Sequence, residues 1–184
     1  MKAEKMLKML TVTGLVLALG APVLRAQEGR ADTKEKRGQF SAKDYKFITQ
    51  TARGGISEVE LGELARVKGV NTSVRNFGER MVTDHTKANN ELKQLAASKQ
   101  AALPVELSRK ERSDMDHLQK ATGKDFDKAY ASDMVKDHKK DLKEFQDAAK
   151  DLDDPDLRAF AQKMVPILEE HLRMARDMEE LVKK

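Results

Sequence analysis

The sequence has no cysteine and no tryptophan, and only 4% of its 184 residues are aromatic. Without cysteine there is no disulfide framework, no thiolate metal site, no haem attached through C-x-x-C-H and no lipidated N-terminus. Proline is scarce too, at four, which leaves long stretches free to be helical. No segment reaches the roughly 20 consecutive apolar residues that a spanning helix needs, and none alternates like the strands of a membrane barrel. A polytopic or barrel protein is therefore not expected. G-x-S-x-G, H-E-x-x-H and phosphate-cradling glycine loops are missing as well, so nothing supports an ordinary hydrolase or transferase.

Charge, by contrast, is plentiful and mixed: 36% of residues are Asp, Glu, Lys or Arg, and the formal net charge is +4. Much of that excess sits in the first residues, where Lys2, Lys5, Lys8 and Arg25 face one acid, Glu4. The rest of the chain is close to neutral, and its signs alternate, as in Lys43-Asp44, Glu79-Arg80 and Lys139-Lys140-Asp141. That is the pattern of solvated helix faces, not of a basic stripe, and no nucleic-acid partner is expected.

The N-terminus has the three parts of an export signal: a basic start from Met1 to Lys8, an apolar run from Met9 to Leu19 continuing to Leu24, and a small residue, Ala26, at the cut. Residues 1–26 are read as a signal peptide. The alternative is a leader kept as an anchor, because Leu24, three before the cut, is larger than the small residue preferred there. Residues 27–40, polar with two glycines and no apolar period, read as a flexible tether. The domain is then 41–184, periplasmic or secreted, with a peripheral place in the cell envelope also open.

Four long amphipathic helices account for the rest. The first runs from Ser41, a good N-cap, to Lys68 before Gly69. Gly54 and Gly55 interrupt it at about 1 kcal/mol each, which calls for a packing reason. The second spans Thr72 to Lys99, with Val74, Phe77, Met81, His85, Ala88, Leu92 and Leu95 on one face. Residues 101–123 connect it to the third and contain a short helix opened by the capping box Ser108-x-x-Glu111 and closed by Gly123. The third runs from Asp125 to Leu152 with Phe126, Tyr130, Met134, His138, Leu142 and Phe145 on its stripe. The fourth starts at the cap Asp154 with Pro155 at the first helical position and continues through Pro166, His171 and Met178. Two short links make antiparallel pairs, and the long connection lets the second and third helices run parallel. The fold class is thus all-α, a ferritin-like four-helix bundle with one long crossover holding a short helix. Phe77, Met81 and Val82 recur as Tyr130, Met134 and Val135 and as Phe160, Met164 and Val165, which suggests an old helix duplication.

His85, His138 and His171 each lie near the middle of a helix on its apolar stripe. Glu58 holds the middle of the first helix, within a row of small residues (Thr51, Gly55, Gly62, Ala65) that would admit a close neighbour. Because midpoints share one height whichever way a helix points, these four groups would form one layer across the core. Three neutral imidazoles and a carboxylate suit copper, zinc, iron or manganese, with Asp84, Asp137 and Glu170 available to hold the rings from behind. Met81 and Met134 add soft thioethers that copper(I) accepts. The other reading is a polar layer hydrogen-bonded to itself that sets helix register in a non-enzymatic envelope protein with a protein partner or a second copy of itself. A di-iron centre is not expected, since Glu-x-x-His does not occur. Catalysis by a bound metal would need an open coordination position.

Several stretches resemble one family: Ala52-Arg53-Gly54-Gly55 with Glu58-Val59 and Leu61-Gly62; Met81-Val82-x-Asp84-His85 with Asn90-x-Leu92; Phe126-Asp127 with Met134-Val135-x-Asp137-His138; and Pro166 with His171-Leu172. From about residue 43 to 182 the chain is similar to the domain-of-unknown-function family DUF4142, exported bacterial proteins often described as outer membrane proteins and grouped with ferritin-like bundles. The resemblance implies such a bundle in the cell envelope and brings no assigned activity with it.

Overall fold

The computed structural model describes residues 36–184. The expected leader, 1–26, and residues 27–35 of the expected tether lie outside the described residues. Every regular element among the described residues is helical. They are α1 (Ala42–Lys68), α2 (Thr72–Ser98), α3 (Arg109–Lys120), α4 (Gly123–Asp151) and α5 (Pro155–Val182).

The caps explain the boundaries. Ser41 accepts from the Asp44 amide, Asn71 from Ser73, and Asp154 from Asp156 and Leu157. Each satisfies amides that the first helical turn leaves unpaired. At α3 both halves of the capping box form. Gly123 does not close α3 as its sequence context suggests; Ala121 does, and Gly123 opens α4 after Thr122. Residues 36–40, expected to belong to the tether, are instead held against the bundle. Phe40 is buried, Gln39 N–H donates to the Lys99 carbonyl at 2.9 Å and the Ala102 N–H to the Lys36 carbonyl at 2.8 Å. An aromatic ring and two backbone hydrogen bonds are enough to tie these residues to the end of α2.

The long helices stand at the corners of a square in the order α1, α2, α5, α4, with α3 against α1 and α4. Contacts at the ends fix their directions. At one end the α1–α2 link meets the start of α4, where the Asp127 carboxylate accepts from Val70 N–H at 3.1 Å and Asn71 N–H at 2.8 Å. At the other, the start of α1 meets the α4–α5 link, where Asp44 accepts from Asp153 N–H at 2.9 Å. α2 and α4 therefore run parallel across a diagonal, and α3 carries the chain back between them, as the link lengths require.

These two ends use the same parts. Arg75 donates to the Gly69 and Val70 carbonyls, and Arg158 to those of Leu152 and Asp153. Asp44 and Asp127, Asn71 and Asp154, Arg75 and Arg158, Phe77 and Phe160, and Met81 and Met164 all stand at one constant spacing. The repeated unit is thus the helical hairpin, α1–α2 matching α4–α5, rather than the single helix. Each hairpin's first helix supplies the buried carboxylate that caps the other's turn.

Helices α1 and α2 approach closely at Gly62 and Gly78. A Cβ on Gly62 would lie 2.7 Å from the Gly78 carbonyl oxygen, and one on Gly78 would lie 2.6 Å from that of Gly62. The row of small residues on α1 works as expected there, backbone against backbone.

The core has two parts. One holds Leu61, Val74, Phe77, Met81, Phe126, Tyr130, Met134 and Met178, covered by Leu107, Met115 and Leu118 of the crossover. The other holds Ile48, Ala52, Leu92, Phe145, Leu157, Phe160, Met164 and Leu168. On every long helix the residue between the two parts is polar: Glu58, His85, His138 and His171.

Candidate metal centre

The layer at the midpoints is buried throughout, with relative exposures of 5% for Glu58, 7% for His85, 1% for His138 and 0% for His171. The three imidazoles converge. Their centroids are 6.1 Å apart for His85 and His138, 5.5 Å for His85 and His171, and 5.4 Å for His138 and His171. One ring nitrogen from each lies within 4.8 Å of one from each of the others. Glu58 is not in that group. It belongs electrostatically with Asp137, Asp141 and Tyr130, so the structure brings three of the four expected residues together and sets the fourth beside them.

Two rings have fixed tautomers. His138 Nδ1 lies 2.9 Å from the Met134 carbonyl oxygen, an acceptor only, so Nδ1 carries the proton and Nε2 the lone pair. His171 Nε2 lies 2.8 Å from Asp84 Oδ2. Burial raises the Asp84 pKa, but the hydrogen bonds from His171 and Arg80 outweigh it and hold the carboxyl below its ordinary value. The ionised Asp84 accepts, which leaves the lone pair of His171 on Nδ1. Asp84 thus does for His171 what the sequence suggested. Glu170 does not, since its carboxylate is taken by Arg173 at 2.6 Å and 3.0 Å.

The nitrogens left over have no partners. His85 Nε2, His138 Nε2 and His171 Nδ1 are buried without a hydrogen bond, as are Glu58 Oε2 and the Tyr130 hydroxyl. Buried polar atoms are nearly always satisfied, and each that is not calls for a reason. Burial, with the neighbouring His171 and His138, pushes the His85 imidazole down to about 3. Burial takes His171 to about 4 against the pull of its Asp84 bond, so that contact is a hydrogen bond from a neutral ring. Burial also lowers His138. Three uncharged imidazoles at neutral pH are the protonation state in which histidine binds a metal. Glu58 moves the other way, raised to about 8 by burial and by Asp137.

One side of the layer opens on a cavity of about 280 Å³ bounded by Gly54, Gly55, Asn89, Asp141, Phe160 and Met164, and His85 forms part of its wall. Gly55 has a packing reason, because a Cβ there would fall 1.9 Å from Asn89 Oδ1. Gly54 has none: a Cβ there meets nothing within 4 Å. Neither the cavity nor this difference between adjacent glycines was visible in the sequence, since both depend on what faces α1. The paired latches Asp44 and Asp127 were missed too, although their constant spacing, shared with Arg75 and Arg158, was there to be found.

The chain belongs to the domain-of-unknown-function family DUF4142, which matches residues 29–178. No curated protein matches it by sequence. Among solved structures it is similar to CopM in the Cu(II)-bound form, with a TM-score of 0.64 and 13% identity over 74% of this chain and 95% of that one. At that identity the likeness concerns the fold. No described helix is long and apolar enough to cross a membrane.

Proposed function

We propose that this protein is an exported helical bundle that binds a transition metal ion through His85, His138 and His171, with Glu58 as the adjacent carboxylate, and serves in metal storage, buffering or protection of the cell envelope. The observation that carries this reading is the set of three buried, neutral imidazoles with unpartnered nitrogens converging on one point. A layer that served only to fix helix register would satisfy its own hydrogen bonds, since an unmet buried group costs about 1–3 kcal/mol. Here it does not.

The donor set fits. Nitrogen ligands about 2.0–2.1 Å from a metal stand roughly 3.4 Å apart in a tetrahedral site, so the rings need to draw in only modestly from the observed spacing. Imidazole suits copper, zinc, iron and nickel more than magnesium or calcium. Asp84 and the Met134 carbonyl hold two of the rings from behind, as outer partners of metal-bound histidines do. Copper is the first ion to try: the protein of like fold is described with Cu(II) bound, and Met81 and Met134, fully buried, precede two of the histidines by one turn. The export signal over 1–26 supports a periplasmic or secreted place.

The test is elemental analysis of the full chain, expressed with its leader and purified without a histidine tag, beside His85→Ala/His138→Ala/His171→Ala. Near-stoichiometric metal in the wild type, a thermal midpoint that rises on adding it, and neither effect in a variant of unchanged helicity are expected. A wild type that takes up no copper, zinc, iron or manganese would leave the layer as core architecture.

A further inference from the structure

Of the three histidines, His85 alone lines the cavity that penetrates the second part of the core. Gly54 stands on the same wall with open space where its side chain would be. A glycine inside a long helix weakens it relative to alanine. At Gly62 backbone atoms, and at Gly55 the Asn89 side chain, stand where a Cβ would be. At Gly54 nothing does, and a side chain longer than a methyl group would have the open cavity to extend into.

The wall is also charged in a particular way. Asp141 lies one turn beyond His138 and is half-buried in the cavity side, with Glu144 a turn further out. Lys140 is drawn to both, at 3.6 Å from Asp141 and 3.2 Å from Glu144. Glu111, where the crossover helix begins, borders the same space and is held by the Ser108 amide at 2.6 Å. Of these carboxylates Asp141 is the deeper and Glu144 the more exposed, and all share the cavity wall with the His85 imidazole.

We propose that this cavity is the entrance through which a hydrated metal cation reaches the histidine layer, that Gly54 keeps it open, and that Asp141 passes the cation from the mouth to His85. The inference rests on the metal-binding reading, and its test carries one readout that needs no metal. Diethyl pyrocarbonate modifies neutral imidazoles in proportion to their accessibility. In the metal-free full chain, mass spectrometry is expected to find His85 modified ahead of His138 and His171.

Gly54→Phe places a ring in the open space. It is expected to protect His85 from the reagent and to slow copper uptake, followed by stopped flow, by about tenfold, equivalent to ~1.4 kcal/mol on the barrier. The copper content at equilibrium stays at the wild-type level. Gly54→Ala, which fits without contact, should behave as wild type in both assays. Asp141→Asn preserves shape, so it should leave the His85 modification rate unchanged and slow only the metal, which keeps the proposal testable if Gly54→Phe does not fold. Wild-type rates of both modification and uptake in a folded Gly54→Phe would overturn the entrance, as would equal reactivity of the three histidines. A wild type that binds no metal would sink the metal-binding reading instead, and the modification pattern alone would then decide whether the cavity leads to His85.

Discussion

The two parts of the core are built from the same kinds of residue and do different things. Toward the α1–α2 link, backbone meets backbone at Gly62 and Gly78, three aromatic rings stack or cross, and the crossover helix covers the outside. Toward the α4–α5 link, the same pair of helices is held apart by the Asn89 amide, and a cavity remains beside Gly54. Both use glycine on α1, but Gly62 removes space and Gly54 preserves it. One half is a closed frame and the other holds the cavity, with the histidines at the boundary and His85 alone in the cavity wall.

The largest effect should come from breaking the latch at the closed end. Asp127→Ala removes the acceptor of two backbone amides beneath Phe126 and should cost about 3 kcal/mol in a urea titration, since hydrogen bonds to charged groups contribute roughly 1.5–3. Asp44→Ala, which strips one link amide of its acceptor, should cost about half as much; equal losses would mean the two ends are not distinguished by these latches. Next is the crossing itself. Gly78→Ala drives a Cβ into a backbone carbonyl and should cost about 2 kcal/mol. Gly55→Ala meets only a side chain that can turn aside and should cost about 1 kcal/mol.

The boundary layer gives a pH signature in the metal-free protein. Folded His85 and His171 bind fewer protons than the unfolded chain between 6.5 and their depressed values of about 3 and about 4. Stability is therefore lost as pH falls below 6.5, by at most about 1.4 kcal/mol per unit for each ring. Folded Glu58 binds more protons than the unfolded chain between 4.5 and about 8, so its contribution is lost as pH rises. The unfolded histidines are half protonated at 6.5 and add little slope above about 7.5, so Glu58→Gln should flatten the decline from there to about 8. A variant that declines like the wild type would assign that slope elsewhere. The smallest effect reverses sign: Gly54→Ala should stabilise the open half by about 0.5–1 kcal/mol, measured by the denaturation midpoint.

Most of the architecture could be read from the chain because its causes are local. Ser41, Asp154 and the Ser108/Glu111 box set helix starts within a turn, and link lengths alone decided that α2 and α4 run parallel. The midpoint argument placed all four polar residues between the two parts of the core because it needed only helix length and phase. It could not place Glu58 outside the imidazole group, since that depends on which way the side chain leaves α1, here into the neighbourhood of Tyr130 and Asp141. The unit of repetition is hidden in the sequence because the contiguous Met-Val-x-Asp-His joins α2 to α4, whereas the hairpin match is carried by single residues, Asp44 with Asp127 and Arg75 with Arg158. Gly54 and Gly55 look alike in sequence and differ only in what stands opposite.

The exchanged latches also bear on how the chain comes together. Since Asp44 completes the turn of the second hairpin and Asp127 that of the first, neither hairpin holds within itself all the acceptors its own turn requires. The covalent connection between them is exposed at Val105 and packs Leu107, Met115 and Leu118 onto the core. A chain cut there would still carry, on each piece, the carboxylate that the other piece's turn requires.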